Sequence, residues 1–454
     1  MFQVTKSLKS VSRRLSAGVM LAVVAAFGGQ TATAQGVEGP YACQKLEFFA
    51  PDPSDPVGPL TQGSNGFFFR TDPDLNWGFF MSDEAQQHLK TLNDGLARRG
   101  TTLVLLPVPP RGLVAQNYID LNADRSPVLS VAEGSWMFDT MVRDLRDTGA
   151  VVPNIMNALR EQPREAPQFY FRRDTAWQPN GARFAADVIA RTLRDEGVLR
   201  GAVARGFQTS VIGEASLKGE LAQAAQRHCD VNLPAEPYTE YTTRSTSTFG
   251  PATGGTRVVV VGDSLAADPR WNFDGFLTQS LGMEVENHAV DSDREFNAVE
   301  AYLASSDFRN NPPQILIWQL PATFDLSRRS LELRQLNDAV LGDCGNFAVA
   351  RTSTNSSGFG TIVQLPLSGA QGIMPENHYL HLRMSNPAMN NFVVSVNYQD
   401  GDAEWIPVER QGRFDNPGEY FVSLSRDINS PITSIEIEQL SEASSAIEID
   451  VCRK

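Results

Sequence analysis

Residues 258–264 read Val-Val-Val-Val-Gly-Asp-Ser. A short β-branched run thus ends in Gly-Asp-Ser, and an amphipathic segment with apolar residues at positions 273, 276, 277 and 281 follows it. This pattern predicts a strand, a tight turn and a helix. Open α/β sheets carry their chemistry at the carboxyl ends of buried strands, which makes Ser264 the candidate nucleophile. The helix after it is expected to aim N–H groups at charge that develops on a bound carbonyl. Because Asp and Ser are both good helix caps, a simple capped turn is the alternative.

Outward from this stretch, helical and buried-strand patterns alternate. Helices are predicted over residues 82–100, with Ser82 as the cap, and from Pro179 to a stop at Gly197. Predominantly apolar segments at 102–106, 257–261 and 315–320 predict buried strands. Helices between continuously apolar strands are typical of a parallel sheet with helices on both faces, so the predicted fold class is α/β.

The pattern changes after about residue 344. Segments 378–385, 392–398, 420–425, 435–440 and 446–451 alternate between apolar and polar residues, which predicts a C-terminal β-sandwich. We therefore predict a domain over residues 35–343 and a second over 344–454.

The first 34 residues have the pattern of an export signal. Four basic residues precede an apolar run at 17–27, and Ala32-Thr33-Ala34 supplies a cleavage site. The run is too short to span a bilayer comfortably, and no later segment resembles a membrane helix. Cleavage removes four of the 39 basic residues and none of the 53 acidic ones, which takes the net charge from −14 to −18. An acidic exported chain argues against non-specific nucleic-acid binding.

Four cysteines in an exported chain predict two disulfides, with three possible connectivities. We favour Cys43–Cys229 and Cys344–Cys452, because each pair would brace one half of the chain. Unpaired buried thiols are the alternative. A zinc site is not expected, since no Cys-x-x-Cys occurs and the histidines are scattered.

Several motifs occur in one order along the chain. They are Phe68-Phe69-Arg70, Pro109-Pro110-Arg111-Gly112-Leu113-Val114, the Asp-x-x-Trp-x-Pro-x-Gly-Ala pattern from Asp174 to Ala182, Gly-Asp-Ser, and Asn310-Asn311-Pro312-Pro313 before Ile315-Leu316-Ile317-Trp318. Together with the terminal sandwich, this series resembles the periplasmic alginate O-acetyltransferases of the AlgX/AlgJ type.

The resemblance implies an SGNH-hydrolase-like domain followed by a carbohydrate-binding module. It implies a Ser–His–Asp triad that moves acetyl groups onto the hydroxyls of an acidic polysaccharide, with a partner protein as acetyl donor and no metal or cofactor. Matched by motif, the serine is Ser264 and the carboxylate is Asp174, but the histidine position holds Ala176, which has no base. Phe324 also stands where a tyrosine is expected.

Three interpretations of Ala176 stay open. The alanine is an engineered change that inactivates the site, or it is natural and the chain is a binding or scaffold subunit, or another side chain serves as the base. His288 is the best substitute, since Asn287-His288 should end the strand after the Ser264 helix; a structural histidine is the alternative. Loss of a triad base costs several powers of ten in rate. An esterase that uses water as acceptor is a third functional hypothesis.

Other residues have weaker claims. Arg111 follows a strand end and could meet a uronate or an oxyanion, or be a solvated loop arginine; Asn287 resembles an SGNH hydrogen-bond donor by position only. In the sandwich, aromatic rings can stack on sugars and guanidinium groups can pair with carboxylates. The candidates for polysaccharide binding are Tyr379, His381, Arg383, Trp405, Arg410, Arg413 and Tyr420. Tyrosines packed at sheet edges and ordinary surface arginines are the alternative.

Overall fold

The computed structural model describes residues 57–75, 77–120, 130–162, 168–229, 231–246, 256–291, 296–360, 362–366, 372–410 and 417–454. The predicted signal peptide at 1–34, Cys43 and Arg413 lie outside the described residues. The described residues belong to one compact unit, Gly39–Lys454, so the domain boundary at residue 344 stays a prediction.

The described strands are β1 Leu60–Gln62, β2 Phe68–Arg70, β3 Thr102–Val108, β4 Phe207–Leu217, β5 Glu236–Ser245, β6 Val258–Val261, β7 Val285–Asn287, β8 Ile315–Pro321, β9 Ala350–Ser356, β10 Ile362–Pro366, β11 His378–Met384, β12 Asn391–Tyr398, β13 Ala403–Glu409, β14 Glu419–Ser423, β15 Ile432–Gln439 and β16 Ser445–Arg453. The described α-helices are α1 Asp83–Arg98, α2 Arg111–Val114, α3 Val131–Arg146, α4 Ile155–Arg160, α5 Pro179–Asp195, α6 Glu220–Cys229, α7 Ser264–Ala267, α8 Phe273–Leu281, α9 Asn297–Ala304, α10 Ser306–Asn310 and α11 Ser330–Leu341. No described helix is long and apolar enough to cross a lipid bilayer.

A four-stranded parallel sheet in the order β3-β8-β6-β7 forms the centre of the α/β part. Strands β3, β6 and β8 are largely apolar on both faces because both faces are covered. Val259 and Val261 of β6 pack into a core shared with α1, α3, α9 and α11, whereas Val258 and Val260 pack into a core shared with α5 and α8. The predicted α/β fold class is confirmed, and this double coverage is its physical cause.

The helix ends follow local signals in the sequence. The Ser82 side chain accepts a hydrogen bond from the Ala85 N–H at 3.2 Å and so caps α1. Pro179 begins α5, where its missing N–H costs nothing. Both helices begin where the sequence predicts.

The C-terminal part is a sandwich of two four-stranded antiparallel sheets, ordered β14-β11-β16-β9 and β10-β15-β12-β13. Leu380, Leu382 and Met384 of β11 face the core between the sheets. The opposite face of β11 carries Tyr379, which belongs to the core of the α/β part. One sheet of the sandwich is therefore covered on both faces.

The long antiparallel pair β4–β5 is absent from the sequence predictions. Its strands are half-buried or exposed along most of their length, so they carry no continuous apolar run. Strands β9, β10 and β13 were also not predicted.

The disulfide Cys344–Cys452 is confirmed, with an S–S distance of 2.03 Å. It joins the start of the sandwich region to its last strand. Cys229, at the end of α6, is disulfide-bonded as well, and its bonding partner lies outside the described residues.

Candidate active site

The turn after β6 is built around Gly262. A Cβ atom there would lie 2.4 Å from Oε1 of Gln319, which is a distance no side chain tolerates. Gln319 in turn accepts a hydrogen bond from the Asp263 N–H at 3.0 Å. Ser264 then begins α7 and is exposed to solvent at the carboxyl end of the sheet. Ser264 thus lies where the sequence predicts, at the turn that follows a buried strand.

The helix after Ser264 differs from the expectation. It covers only Ser264–Ala267, and the amphipathic helix begins later, at Phe273. Asp263 engages the N–H groups of the next turn: its side chain accepts from Leu265 at 2.8 Å, and its carbonyl accepts from Ala266 and Ala267. The predicted row of N–H groups aimed at a substrate is therefore wrong, because Asp263 caps this short helix. Among the described hydrogen bonds, none uses the Ser264 N–H or its hydroxyl.

The loop from Tyr170 to Trp177 carries Asp174, and backbone groups hold it. Tyr170 and Trp177 form an isolated antiparallel bridge. Asp174 is buried; its Oδ1 accepts the Ala176 N–H and its Oδ2 accepts the Glu220 N–H, both at 2.8 Å. Each carboxylate oxygen has a second lone pair, so a donor such as an imidazole could still be accepted. Asp174 thus fixes the loop through its backbone whatever side chain occupies position 176.

The guanidinium group of Arg111 holds the same loop. It is 1% exposed, and its Nη1 donates to the carbonyls of Phe171 and Asp174, each at 2.6 Å. Its Nη2 donates to the carbonyls of Phe68 and Arg172 at 2.8 and 3.1 Å. A guanidinium group engaged by four carbonyls does not fit the expected contact with a uronate, nor a solvated loop arginine. Arg111 positions the loop.

Aromatic contacts bring the Asp174 loop against the chain that follows Ser264. The ring centroids of Phe171 and Trp271 lie 5.3 Å apart, and those of Trp177 and Phe273 lie 4.9 Å apart. Ala176 and Leu265 pack at the edge of the same core.

Electrostatic effects agree with this proximity. The hydrogen bond that Arg270 donates to Asp268 raises the pKa of Arg270, against the effect of partial burial, and the charge of Asp174 adds to the rise. The loop of Asp174 therefore packs against the chain that follows Ser264; the direct pairing of Ser264 and Asp174 stays a prediction.

All five histidines are described, and no described hydrogen bond joins any of them to Ser264. His288, the candidate substitute base, directs Nε2 toward Glu286 at 3.9 Å and packs its ring 4.9 Å from that of Tyr302. Its described contacts favour the structural alternative.

Asn287 supports the turn that carries Ser264. Its Nδ2 donates to the carbonyl of Ala266 at 2.8 Å, two residues after Ser264. Gln319 has a similar supporting role, which the sequence reasoning missed. The signal was available, since Gln319 is a polar residue inside the apolar run of β8 and is fully buried. The ring centroids of Phe324 and Phe296 lie 5.3 Å apart.

Most of the polysaccharide-binding candidates are buried, which corrects that prediction. The hydroxyl of Tyr379 donates a hydrogen bond to the carbonyl of Gly342 at 2.6 Å. The hydroxyl of Tyr420 donates one to the carbonyl of Met389 at 3.0 Å. His381 stacks on Phe421 with centroids 4.6 Å apart, and Arg410 is 6% exposed. The face of β11 that carries Tyr379 is covered by the α/β part.

Two of these candidates remain accessible. Trp405 is 69% exposed on β13. Arg383 is half-buried and pairs with Asp450 at 2.9 Å. An exposed indole is the feature of this region that suits stacking on a sugar ring.

One described cluster has the side-chain types of a metal site. Ligand atoms of Glu286, His288 and Asp307 lie within 4.8 Å of one another. The guanidinium of Arg257 lies between the two carboxylates, 2.5 Å from each, so an internal cation already balances them.

A serine at the carboxyl edge of a buried parallel sheet, a packed aspartate loop and an appended sandwich define an SGNH-hydrolase-like α/β protein. A family model described as "SGNH hydrolase-like domain, acetyltransferase AlgX" matches residues 60–322, and the chain belongs to this family.

Similarity extends beyond the matched domain. "Alginate biosynthesis protein AlgX" of Pseudomonas aeruginosa is 26% identical over 399 residues, which are 86% of this chain and 83% of that protein. "Probable alginate O-acetylase AlgJ" of Pseudomonas fluorescens is 34% identical over 181 residues, 38% of this chain and 46% of that protein. The solved structure titled "Structural and functional characterization of Pseudomonas aeruginosa AlgX" has a TM-score of 0.78 at 25% identity and covers 87% of this chain and 95% of that one.

Proposed function

We propose that this chain is an O-acetyltransferase-like protein of alginate-type polysaccharide biosynthesis in which Ser264 is the nucleophile position and Ala176 fills the position of the base. The observation that carries the proposal is the packing of the Asp174 loop against the chain after Ser264. That packing supports a shared site for the two residues. Export to the periplasm, with removal of residues 1–34, belongs to the same proposal.

The proposed chemistry is acyl transfer in two steps. Ser264 Oγ bonds to the acetyl carbon of a donor and gives its proton to a base, and the donor's leaving group departs with a proton. The oxygen of a sugar hydroxyl then bonds to the acetyl carbon of the acetyl-serine and gives its proton to the base, and the bond from that carbon to Ser264 Oγ breaks as Oγ takes the proton back. A partner protein is the proposed acetyl donor.

The methyl group of Ala176 cannot accept the proton in either step. We therefore propose that the chain as it stands transfers acetyl groups slower than a histidine-bearing version by several powers of ten. The lack of any described imidazole hydrogen-bonded to Ser264 supports this reading. The same observation favours a second candidate function, a non-catalytic subunit that binds the polysaccharide and keeps the fold for assembly.

The test is the release of acetate from p-nitrophenyl acetate by four proteins: the chain itself, Ala176→His, Ala176→Gln as a matched side chain without a base, and Ala176→His with Ser264→Ala. Activity that appears only with histidine, and is lost with Ser264→Ala, would support the shared site. Activity already present in the chain and lost in His288→Ala would support a substitute base.

If no version is active, the catalytic proposal fails and the binding subunit is favoured. An acceptor assay with a mannuronate oligomer separates transfer from ester hydrolysis. A version of Ala176→His that releases acetate but never acetylates the oligomer would support the esterase hypothesis instead.

A further inference from the structure

One end of the strand pair β4–β5, where Leu217 pairs with Glu236, lies beside the loop that carries Asp174. At this end Glu236 and Tyr238 share one face of β5 and are 7% and 8% exposed, whereas Pro237 between them is exposed. Along the rest of its length the pair is half-buried or exposed. A buried carboxylate needs polar partners, because burial of an unpaired charge is costly. The partners of Glu236 belong to the Asp174 loop.

Glu236 holds the backbone of this loop by its N–H groups. Its Oε2 accepts the N–H of Arg172 at 3.0 Å, and its Oε1 accepts the N–H of Arg173 at 2.7 Å. Hydrogen bonds to a carboxylate are roughly twice as strong as those between neutral groups. Because Arg111 binds the carbonyls of residues 171, 172 and 174, two buried side chains of opposite charge hold the donors and the acceptors of one loop.

The chain between β4 and β5 packs closely on the same loop. The N–H of Glu220 donates to Asp174 Oδ2 at 2.8 Å, and the N–H of Ala222 donates to the carbonyl of Arg173 at 3.2 Å. A Cβ atom at Gly219 would overlap that carbonyl, so this close approach requires a glycine. Asp174 is therefore held between its own loop and a segment whose two ends belong to the β4–β5 pair.

Tyr238 connects the Asp174 loop to the chain that follows Ser264. Its ring centroid lies 5.8 Å from that of Phe171, in the loop, and 5.7 Å from that of Trp271, in the following chain. Both contacts are edge-to-face, an arrangement that favours particular angles between rings as well as a particular separation. Since Phe171 and Trp271 are themselves 5.3 Å apart, the three rings contact one another pairwise.

We propose that Glu236 and Tyr238 are positioning residues for the candidate active site. Glu236 fixes the loop that carries Asp174, and Tyr238 fixes the placement of that loop against the chain after Ser264. Both act through other residues, not on the reacting atoms. The structural part of this inference rests on the contacts of β5 alone, and its consequence for acetyl transfer rests on the proposed function.

The first measurement is amide hydrogen exchange in the full chain, which needs no activity. Glu236→Gln keeps the size of the side chain but leaves one acceptor oxygen, so its NH2 group faces one of the two N–H groups. We expect exchange in the peptide that spans residues 169–175 to rise about tenfold or more, as followed by mass spectrometry. Glu214→Gln, an exposed side chain on β4, is the matched control and should leave this peptide unchanged.

Tyr238 is tested by a pair of variants. Tyr238→Phe keeps the ring and should behave as the parent chain, whereas Tyr238→Leu removes both edge-to-face contacts. We expect Tyr238→Leu to speed exchange several-fold in the peptides that span residues 169–175 and 264–271. Equal exchange in Tyr238→Phe and Tyr238→Leu would overturn the role of Tyr238. This pair also carries the test should Glu236→Gln unfold.

The second measurement is the kinetics of acetate release in the Ala176→His background. A misplacement of about 1 Å costs roughly 10²-fold in rate, so we expect Glu236→Gln to lower kcat roughly tenfold or more while KM stays unchanged. The introduced imidazole would also lose part of the favourable field of the Asp174 carboxylate, which lowers the pKa of the imidazole. The acid limb of the pH profile should therefore move to lower pH. A merely structural role of Glu236 would reduce the yield of folded protein and leave the profile in place.

The two measurements separate this inference from the proposed function. If Ala176→His is inactive, the proposed function fails, and hydrogen exchange alone decides the positioning roles. If Ala176→His is active and Glu236→Gln changes neither kcat nor the pH profile, the positioning role of Glu236 is overturned while the proposed function stands. Unchanged exchange in Glu236→Gln overturns that role in either case.

Discussion

The loop that carries Ala176 is held by contacts to its backbone. Asp174 binds the N–H of residue 176, not its side chain, and Arg111 binds the carbonyls of residues 171, 172 and 174. Backbone contacts of this kind are indifferent to the side chain at 176. The site geometry is therefore expected to survive in either version, which makes Ala176→His a fair test.

Asp174 has a structural role that is separable from chemistry. In Asp174→Asn, one of the two accepting oxygens becomes an NH2 group that faces a backbone N–H. We expect the free energy of unfolding to fall by about 1–3 kcal/mol, as measured by urea denaturation. Asp94→Asn, in an exposed pair with Lys90, is the control and should change little. An Asp174→Asn protein as stable as the parent would contradict these hydrogen bonds.

Arg111 offers a second test at this scale. Arg111→Lys keeps the charge, but one ammonium cannot reach four carbonyls arranged around a planar fork. We expect a loss of about 3 kcal/mol, since the carbonyls are left unsatisfied in a buried place. Thermal unfolding of Arg111→Lys beside Arg143→Lys measures it, and equal melting temperatures in the two variants would refute the positioning role.

At the scale of elements, the turn after β6 depends on its neighbour strand. Gln319 on β8 reaches across to the Asp263 N–H, and Gly262 leaves the room for it. A strand that is apolar on both faces thus ends at a polar anchor. The orientation of the Ser264 turn is decided between β6 and β8, not within β6.

Gly262→Ala tests this anchor. The added methyl group would displace Gln319 and break its bond to Asp263, so we expect a loss of roughly 2 kcal/mol from overpacking. Gly213→Ala in β4 is a matched control, because its Cβ would meet Glu240 at an ordinary 3.5 Å. Chemical denaturation compares the two. Similar small losses in both would show that the Gly262 site can relax.

At the scale of the whole molecule, a buried carboxyl group, that of Asp338, lies where the α/β part meets the sandwich. Asp338 on α11 accepts a hydrogen bond from Ser423 on β14, and Lys454, Arg334 and Arg426 also face it. Burial nevertheless raises the pKa of Asp338 to about 6 from the usual 3.8. Contact between the two parts is therefore sensitive to protonation.

The sign of the pH effect follows from this raised pKa. Between about pH 4 and pH 6 the folded protein keeps a proton that the unfolded chain releases, so the free energy of unfolding falls as pH rises through that window. A shift of about two pKa units amounts to about 3 kcal/mol. We expect Asp338→Asn to lose this part of the pH dependence in urea unfolding at pH 4 to 7. An unchanged slope, with Asp94→Asn as control, would contradict the buried carboxyl.

The sequence by itself determined the α/β class, the positions of its buried strands and the cap at Ser82, and it favoured the disulfide Cys344–Cys452 among three connectivities. These rest on local signals: the period of apolar residues, the chemistry of helix ends and the few cysteines available. Only the tertiary structure decided that Arg111 is buried among carbonyls about 60 residues away, and that the face of β11 with Tyr379 packs on another part of the chain. Alternation shows that a strand has two different faces, but what covers each face depends on residues far away in sequence.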